Sequence, residues 1–341
     1  MNRFLQLPTD DRARAFEQTA TRRGLSPGSV EKDFWVCLML RELFALPQYG
    51  DHLTFKGGTS LSKAWRLIDR FSEDIDLTID RDILGFGGEH GPEAATSGKE
   101  QQRRLHQLKQ DCRDVIAQQI EPALTARMSA LLAAKESWSL NSDDEDPDAQ
   151  TLLFAYPRLV TAATPSYVKP VVKLEFGARS DPWPVEQRPV TPFVAEEFPR
   201  LFDTPACIVR ALLPERTFWE KVMLLHEEGF RPPNKIRRPG MARHYYDVWR
   251  LIEAEVAARA AADLTLFEQV AAHRKVYFRQ NWVDYDTLKR GTIQMAPRPE
   301  QVEEWRRDYA AMQGEMFIGT PPVFDEILAT IASFQSEFNS A

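Results

Sequence analysis

Asp74 and Asp76 stand two residues apart and alternate with Ile75, Leu77 and Ile79, the pattern of a half-buried strand that turns both carboxylates to one face. Like charges about 4 Å apart repel by roughly 4 kcal/mol at an effective dielectric of about 20, so such a pair calls for a cation or a proton between them. Oxygen donors without a nearby histidine or cysteine cluster suit magnesium or manganese better than zinc. Upstream, Phe55-Lys56-Gly57-Gly58-Thr59-Ser60 sets two glycines before a helical stretch. Backbone can approach a ligand closely there, and the N–H groups at the helix start form an anion cradle for which phosphate is the expected guest. The spacing is neither that of a Walker loop nor that of the dinucleotide fingerprint. A glycine pair alone marks a turn, and a lone D-x-D marks an acidic solvent-facing strand. Their succession at strand–helix–strand distance is what points to a metal–nucleotide site.

The elements that position these groups are legible in outline. Thr9 can cap a helix that ends at Gly24, and Ser26-Pro27 opens a second whose Val36, Met39, Leu40 and Leu43 form a core stripe. A strand at 53–55, a helix over LSKAWRLI and a strand over IDLTI form an α/β unit around the glycines. Residues 101–135 read as one long or two short helices. Segments TLLFAYPRLV and YVKPVVKLEFGA read as strands, with Pro170 favouring an edge or a strand start. From about residue 213 the pattern is helical, and no internal repeat is visible. The expected class is α+β: N-terminal helices over 1–50, a mixed-sheet core over 51–205 and a helical lobe over 206–341.

Composition narrows the function classes. The 341 residues are 43% hydrophobic and 11% aromatic, which excludes a fibrous or disordered chain. No apolar run reaches the roughly 18 residues of a membrane span, and the N-terminus meets charges early, so a cytoplasmic protein with no membrane partner is expected. Cys37, Cys112 and Cys207 are too few and too scattered for disulfides or a zinc site. A net charge of −7 argues against a general nucleic-acid coat protein. Locally, however, residues 231–243 carry five Lys or Arg, three prolines and no acid. That loop suits RNA-backbone contact or simple solubilisation, and its place between two candidate site segments favours contact. Residues 142–148, SDDEDPD, hold five carboxylates but lack the glycine and closing glutamate of a calcium loop, and read as a solvated turn. Hydrolase, zincin and kinase wording is absent, and His244 is read as structural.

The glycine pair and D-x-D together resemble the nucleotidyltransferase superfamily signature. More closely, FKGGTSLSK at 55–63 and RFSEDIDL at 70–77 resemble the AbiEii/AbiGii toxin family, with 15 residues between Gly58 and Asp74. The likeness continues at Glu31-Lys32-Asp33, Lys173-Leu174-Glu175, Glu220-Lys221 and Arg243-His244-Tyr245-Tyr246-Asp247, so it spans about residues 30–255. It implies a nucleotidyltransferase-type mixed sheet and the toxin half of a toxin–antitoxin or phage-defence pair, with a separately encoded antitoxin. It further implies a nucleoside triphosphate substrate and Mg2+ or Mn2+. The acceptor would be RNA, with the tRNA 3′ end as candidate. By the same resemblance Gly57, Gly58, Thr59, Ser60 and Lys63 bind the nucleotide and Asp74, Asp76 and Glu175 hold metal. Lys221 offsets phosphate charge, and Asp247 is a further active-site acid with an alternative role as i, i+4 partner of Arg243. Transfer onto protein hydroxyls and a nucleotide-binding regulator without turnover are the competing readings.

Overall fold

The computed structural model describes residues 1–70, 72, 74–132, 136–160, 170–312, 316–317 and 319–340. The chain divides into two units, Met1–Trp65 with Phe71–Leu212, and Arg66–Arg70 with Leu213–Ala341.

Unit 1 is built on a seven-stranded mixed sheet. Three helices lead into it: α1 (Asn2–Leu5), α2 (Thr9–Arg23) and α3 (Pro27–Phe44). Gly24 ends α2 in the left-handed conformation, and Ser26 caps α3 by accepting from Ser29 N at 3.0 Å, with Pro27 in the first turn. The core then runs β1 (Leu53–Lys56), α4 (Gly57–Lys63), β2 (Ile75–Ile79), α5 (Gly98–Val115), a π-turn over Ile116–Ile120 and α6 (Glu121–Leu131). It continues with β3 (Ser139–Ser142), β4 (Thr151–Ala155), β5 (Val171–Gly177), β6 (Val185–Val190), α7 (Phe193–Glu197) and β7 (Cys207–Leu212). Strand order is β3-β4-β5-β2-β1-β7-β6, with β2 parallel to β5, β1 parallel to β7 and the remaining pairs antiparallel. Pro170 stands just before β5, an interior strand, where its missing N–H costs no ladder bond.

Helix α3 is wider in its burial than the stripe at Val36, Met39, Leu40 and Leu43, because it packs on β5 and β7 and also on α2, α6 and α7. Even Glu31, Lys32 and Asp33 are buried there. Two expectations change. The helix after the glycines ends at Lys63 and does not run through Ile68. The sheet gains β3, β6 and β7, the last of which ends at Leu212. Residues 167–169 of the expected second strand, 133–135 of the expected helix, and Phe71 and Glu73 of the acidic motif lie outside the described residues.

Unit 2 is helical: α8 (Pro214–Gly229), α9 (Arg243–Glu253), α10 (Val256–Ala262), α11 (Leu264–Tyr277), α12 (Val302–Met312) and α13 (Phe324–Ser340). Its core is aromatic, with Trp219 against Phe218, Phe267 and Phe338, and Tyr245 edge-on to Trp305 and Phe324. Tyr245 and Tyr246 are therefore packing residues. No helix among the described residues is long and apolar enough to cross a membrane. The α+β reading of the sequence agrees with this architecture.

Candidate active site

Strand register assembles the acidic part of the site. Asp76 lies opposite Lys56 of β1 on one side and Glu175 of β5 on the other, so the three side chains share one face of the sheet. Asp74 falls one residue before β2, and its carbonyl oxygen accepts a hydrogen bond from Thr59 Oγ1, which also bonds the Ser72 hydroxyl at 2.8 Å. Thr59 thus clamps the segment that carries Asp74 onto α4. Burial, then the charges of Glu175 and Asp74, push the Asp76 carboxyl up to about 7, against the pull of Lys56. Lys56 itself is held at 2.8 Å by Ser180 Oγ.

Gly57 is where the glycine pair is needed. Its φ is +75°, and a Cβ there would overlap Asp76 Oδ2 and stand 2.7 Å from Asp76 Cγ. Asp76 is short, so an added Cβ would push its carboxylate out of place. Gly57→Ala is expected to cost about 1–2 kcal/mol in stability from the left-handed backbone, and a larger share of any metal-dependent activity because Asp76 is displaced. Equal losses in Gly57→Ala and Gly58→Ala would refute that special role; unfolding and activity curves of the two decide it.

A pair of repelling carboxylates with a glycine giving close access is a donor set that fits a divalent cation. Among the described residues no group of three or more His, Cys, Asp or Glu side chains is arranged to hold a metal ion, so the fit rests on the Asp76–Glu175 pair with Asp74 beside it. Glu175 is also met by Lys173, whose Nζ is 2.8 Å from Oε1. Burial works against that ammonium, yet the bond to Glu175 and the charges of Glu175, Asp74 and Asp143 raise its pKa.

Three residues expected at the nucleotide, Thr59, Ser60 and Lys63, are buried. Lys63 is buried and pairs with Asp33 Oδ1 at 2.6 Å, with its Nζ 3.7 Å from the centre of the Phe193 ring, so it braces α4 against α3. Asp33 Oδ2 meanwhile accepts Phe193 N at 2.7 Å, and Glu31 accepts Leu159 N at 2.7 Å and Val160 N at 3.2 Å. The Glu31-Lys32-Asp33 segment is therefore a buttress for the glycine turn and for the chain beyond β4.

Within unit 2 the structure joins two of the remaining candidates and adds one that the sequence reading missed. Asp247 is fully buried; Arg70 grips it with Nε and Nη2 at 2.7 and 2.8 Å, and Lys221 Nζ meets Oδ2 at 2.8 Å. Burial alone would raise the Asp247 carboxyl, but Arg70 and Lys221 outweigh it and hold it well below the usual carboxylate range. Burial, with Arg70 and Arg243 nearby, lowers the Lys221 ammonium, and Asp247 opposes that shift. His244 Nδ1 stands 3.5 Å from Lys221 Nζ, and burial and Lys221 keep the imidazole neutral by lowering its pKa well below the ordinary value. Arg243 bonds the Gly240 carbonyl rather than Asp247. The 231–243 loop is less cationic than its composition: Arg231 and Arg237 both pair with Glu228, and Arg237 also with Glu304. Lys235 and Arg238 remain exposed, beside Ile236 at 94% exposure.

No curated protein matches the chain. Among solved structures, MenT4, a nucleotidyltransferase toxin from Mycobacterium tuberculosis H37Rv, aligns with a TM-score of 0.50 and 17% sequence identity, over 96% of this chain and 90% of that one, a likeness of fold. The family model described as nucleotidyl transferase AbiEii toxin, type IV toxin–antitoxin system, matches residues 38–330. That span takes in the glycine turn, the Asp76–Glu175 pair and the Lys221–Asp247 pair, and the chain belongs to the AbiEii family of nucleotidyltransferase toxins.

Proposed function

We propose that this toxin transfers a nucleotide from a nucleoside triphosphate to an RNA acceptor, with the tRNA 3′ end as the candidate, and that an antitoxin encoded separately restrains it. The observation that carries this reading is the register pairing of Asp76 with Glu175 beside a glycine where a Cβ would overlap the Asp76 carboxylate. Asp74, Asp76 and Glu175 would hold Mg2+ or Mn2+, which when bound neutralises phosphate charge and activates the acceptor oxygen. In the transfer the acceptor hydroxyl oxygen bonds the α-phosphorus, the bond from that phosphorus to the oxygen bridging to the β-phosphorus breaks, pyrophosphate leaves with that oxygen, and the hydroxyl proton passes to water. Backbone N–H groups after Gly57 and Gly58 orient the triphosphate, and Lys221 offsets its charge as a compact ammonium with donor capacity beyond Asp247. Lys235, which also lies 4.3 Å from the centre of the Trp282 ring, and Arg238 are exposed cations of this loop that would meet an RNA backbone.

The test is incubation of the full chain with each α-labelled triphosphate, Mg2+, total RNA and total protein, with pyrophosphate release followed. Label in RNA of tRNA size is the expected result. Label in protein would replace the acceptor by protein hydroxyls. Nucleotide binding without pyrophosphate would leave a regulator.

A further inference from the structure

The acidic hairpin between β3 and β4 has no part in that reading, yet one side chain ties it to the site. Lys173 lies on β5 two residues before Glu175 and shares its face of the strand. Its ammonium has two carboxylates within reach, Glu175 Oε1 at 2.8 Å and Asp143 Oδ2 at 3.8 Å. The hairpin fixes Asp143: its N–H donates to the Thr151 carbonyl at 2.9 Å, and its Oδ1 accepts from Glu145 N at 3.1 Å. Two further acids of the turn are engaged elsewhere. Asp146 accepts from Asp148 N, Gln150 N and Thr151 Oγ1, while Asp148 pairs with Lys109 and Arg179.

We infer that Lys173 is a tethered counter-ion, which occupies Glu175 while the site is metal-free and transfers to Asp143 when a divalent cation takes Glu175. This rests on the reading of Asp76 and Glu175 as metal ligands. An ammonium and a dication on one carboxylate repel each other, so one must leave. Lysine suits that exchange better than arginine, because a compact charge on a flexible stem can change partners without losing a fixed fork of bonds. The side chain is 36% exposed, so its swing meets little packing. Asp143, already within ion-pair distance, keeps the displaced charge from being left without a partner. The two residues then act on metal affinity in opposite directions: Lys173 competes with the cation, and Asp143 relieves that competition.

The test uses full-length protein stripped with chelator, Mn2+ alone as the probe, and free Mn2+ measured by electron paramagnetic resonance. Lys173→Met and Lys173→Gln are expected to bind Mn2+ about 3–30-fold more tightly. Asp143→Asn should bind about 2–5-fold more weakly, and the Asp143→Asn/Lys173→Met double variant should match Lys173→Met within about twofold, because Asp143 acts through Lys173. Unchanged or weaker binding by both Lys173 variants overturns the inference. So does an Asp143→Asn loss that persists in full when Lys173 is gone, since that marks a general charge effect. Asp76→Asn serves as the reference: wild-type binding no tighter than this variant removes the metal reading and the inference with it. Tight wild-type binding that neither Lys173 variant moves removes the inference alone.

Discussion

Asp247→Ala is expected to destabilise the protein by about 3–5 kcal/mol, because it leaves two buried cations without their shared counter-ion. Arg70 and Lys221 converge on this carboxylate at 2.7–2.8 Å, and Asp247 has no exposed surface. Lys221→Ala removes only one of the two cations, and the bidentate Arg70 pair survives, so its stability cost should be nearer 1–2 kcal/mol. The contrast separates holding the fold from handling phosphate. If Lys221 serves the triphosphate, its alanine variant loses transfer activity out of proportion to its stability. Lys221→Arg should rescue poorly, because a planar fork cannot replace a compact ammonium between Asp247 and His244. The pH dependence has a defined sign. The folded-state pKa of Asp247 is depressed, so its contribution is fully present above the ordinary aspartate value of 3.8 and is lost as pH falls toward the lower folded value. Asp247→Asn should therefore flatten the acid limb of the stability profile. Thermal and urea unfolding of the four variants at pH 7 and about pH 2.5 would check this, and an Asp247→Ala protein within about 1 kcal/mol of wild type at pH 7 would discard the account.

The local signals in the sequence were those that act over a few residues. The Asp76–Leu77 alternation, the Ser26-Pro27 helix start and the turn at Gly24 are each set by spacing or by one residue's backbone preference, and each is found in the structure. The partner of a charged residue is set by pairing across the chain. Arg70 and Asp247 are 177 residues apart, so the i, i+4 Arg243 was the nearer guess. Lys63 is expected at the nucleotide from the family resemblance, and only the pairing of α4 with the buried α3 in the fold puts Asp33 beside it. The 231–243 loop holds no acid of its own, but Glu228 on the preceding helix pairs with two of its arginines, and Glu304 with one of them. Strands β3 and β6 were hidden by composition: SLNS is polar, and VEQRPV carries a proline that an edge strand tolerates. Lys56 was passed over because its opposition to Asp76 depends on the β1–β2 register.

Asp76→Asn should abolish transfer, by on the order of 10³-fold or more, while leaving the metal-free protein as stable as wild type or more so. The two halves of that expectation have one cause. Asp76 is crowded by burial, Glu175 and Asp74, so the folded chain holds its proton up to about pH 7, against an ordinary value of 3.8 in the unfolded chain. A carboxyl whose folded pKa is raised loses stability for the protein as pH climbs from the unfolded value through the folded one. Asparagine has no charge to suppress. The variant should therefore match wild type below about pH 3.8 and gain on it as pH rises, less at pH 5 than at pH 8.5, by up to a few kcal/mol in chelator. Divalent cation reverses the order. A metal that binds the folded state alone adds RT ln(1 + [M]/Kd), so millimolar Mg2+ or Mn2+ should raise the midpoint of wild type and leave Asp76→Asn unmoved. Melting curves of both proteins at pH 5 and 8.5, with chelator or with Mn2+, carry the whole test. A variant that melts below wild type at pH 8.5 in chelator would mean that Asp76 is held by favourable partners, and one that still gains stability from Mn2+ would place the cation elsewhere.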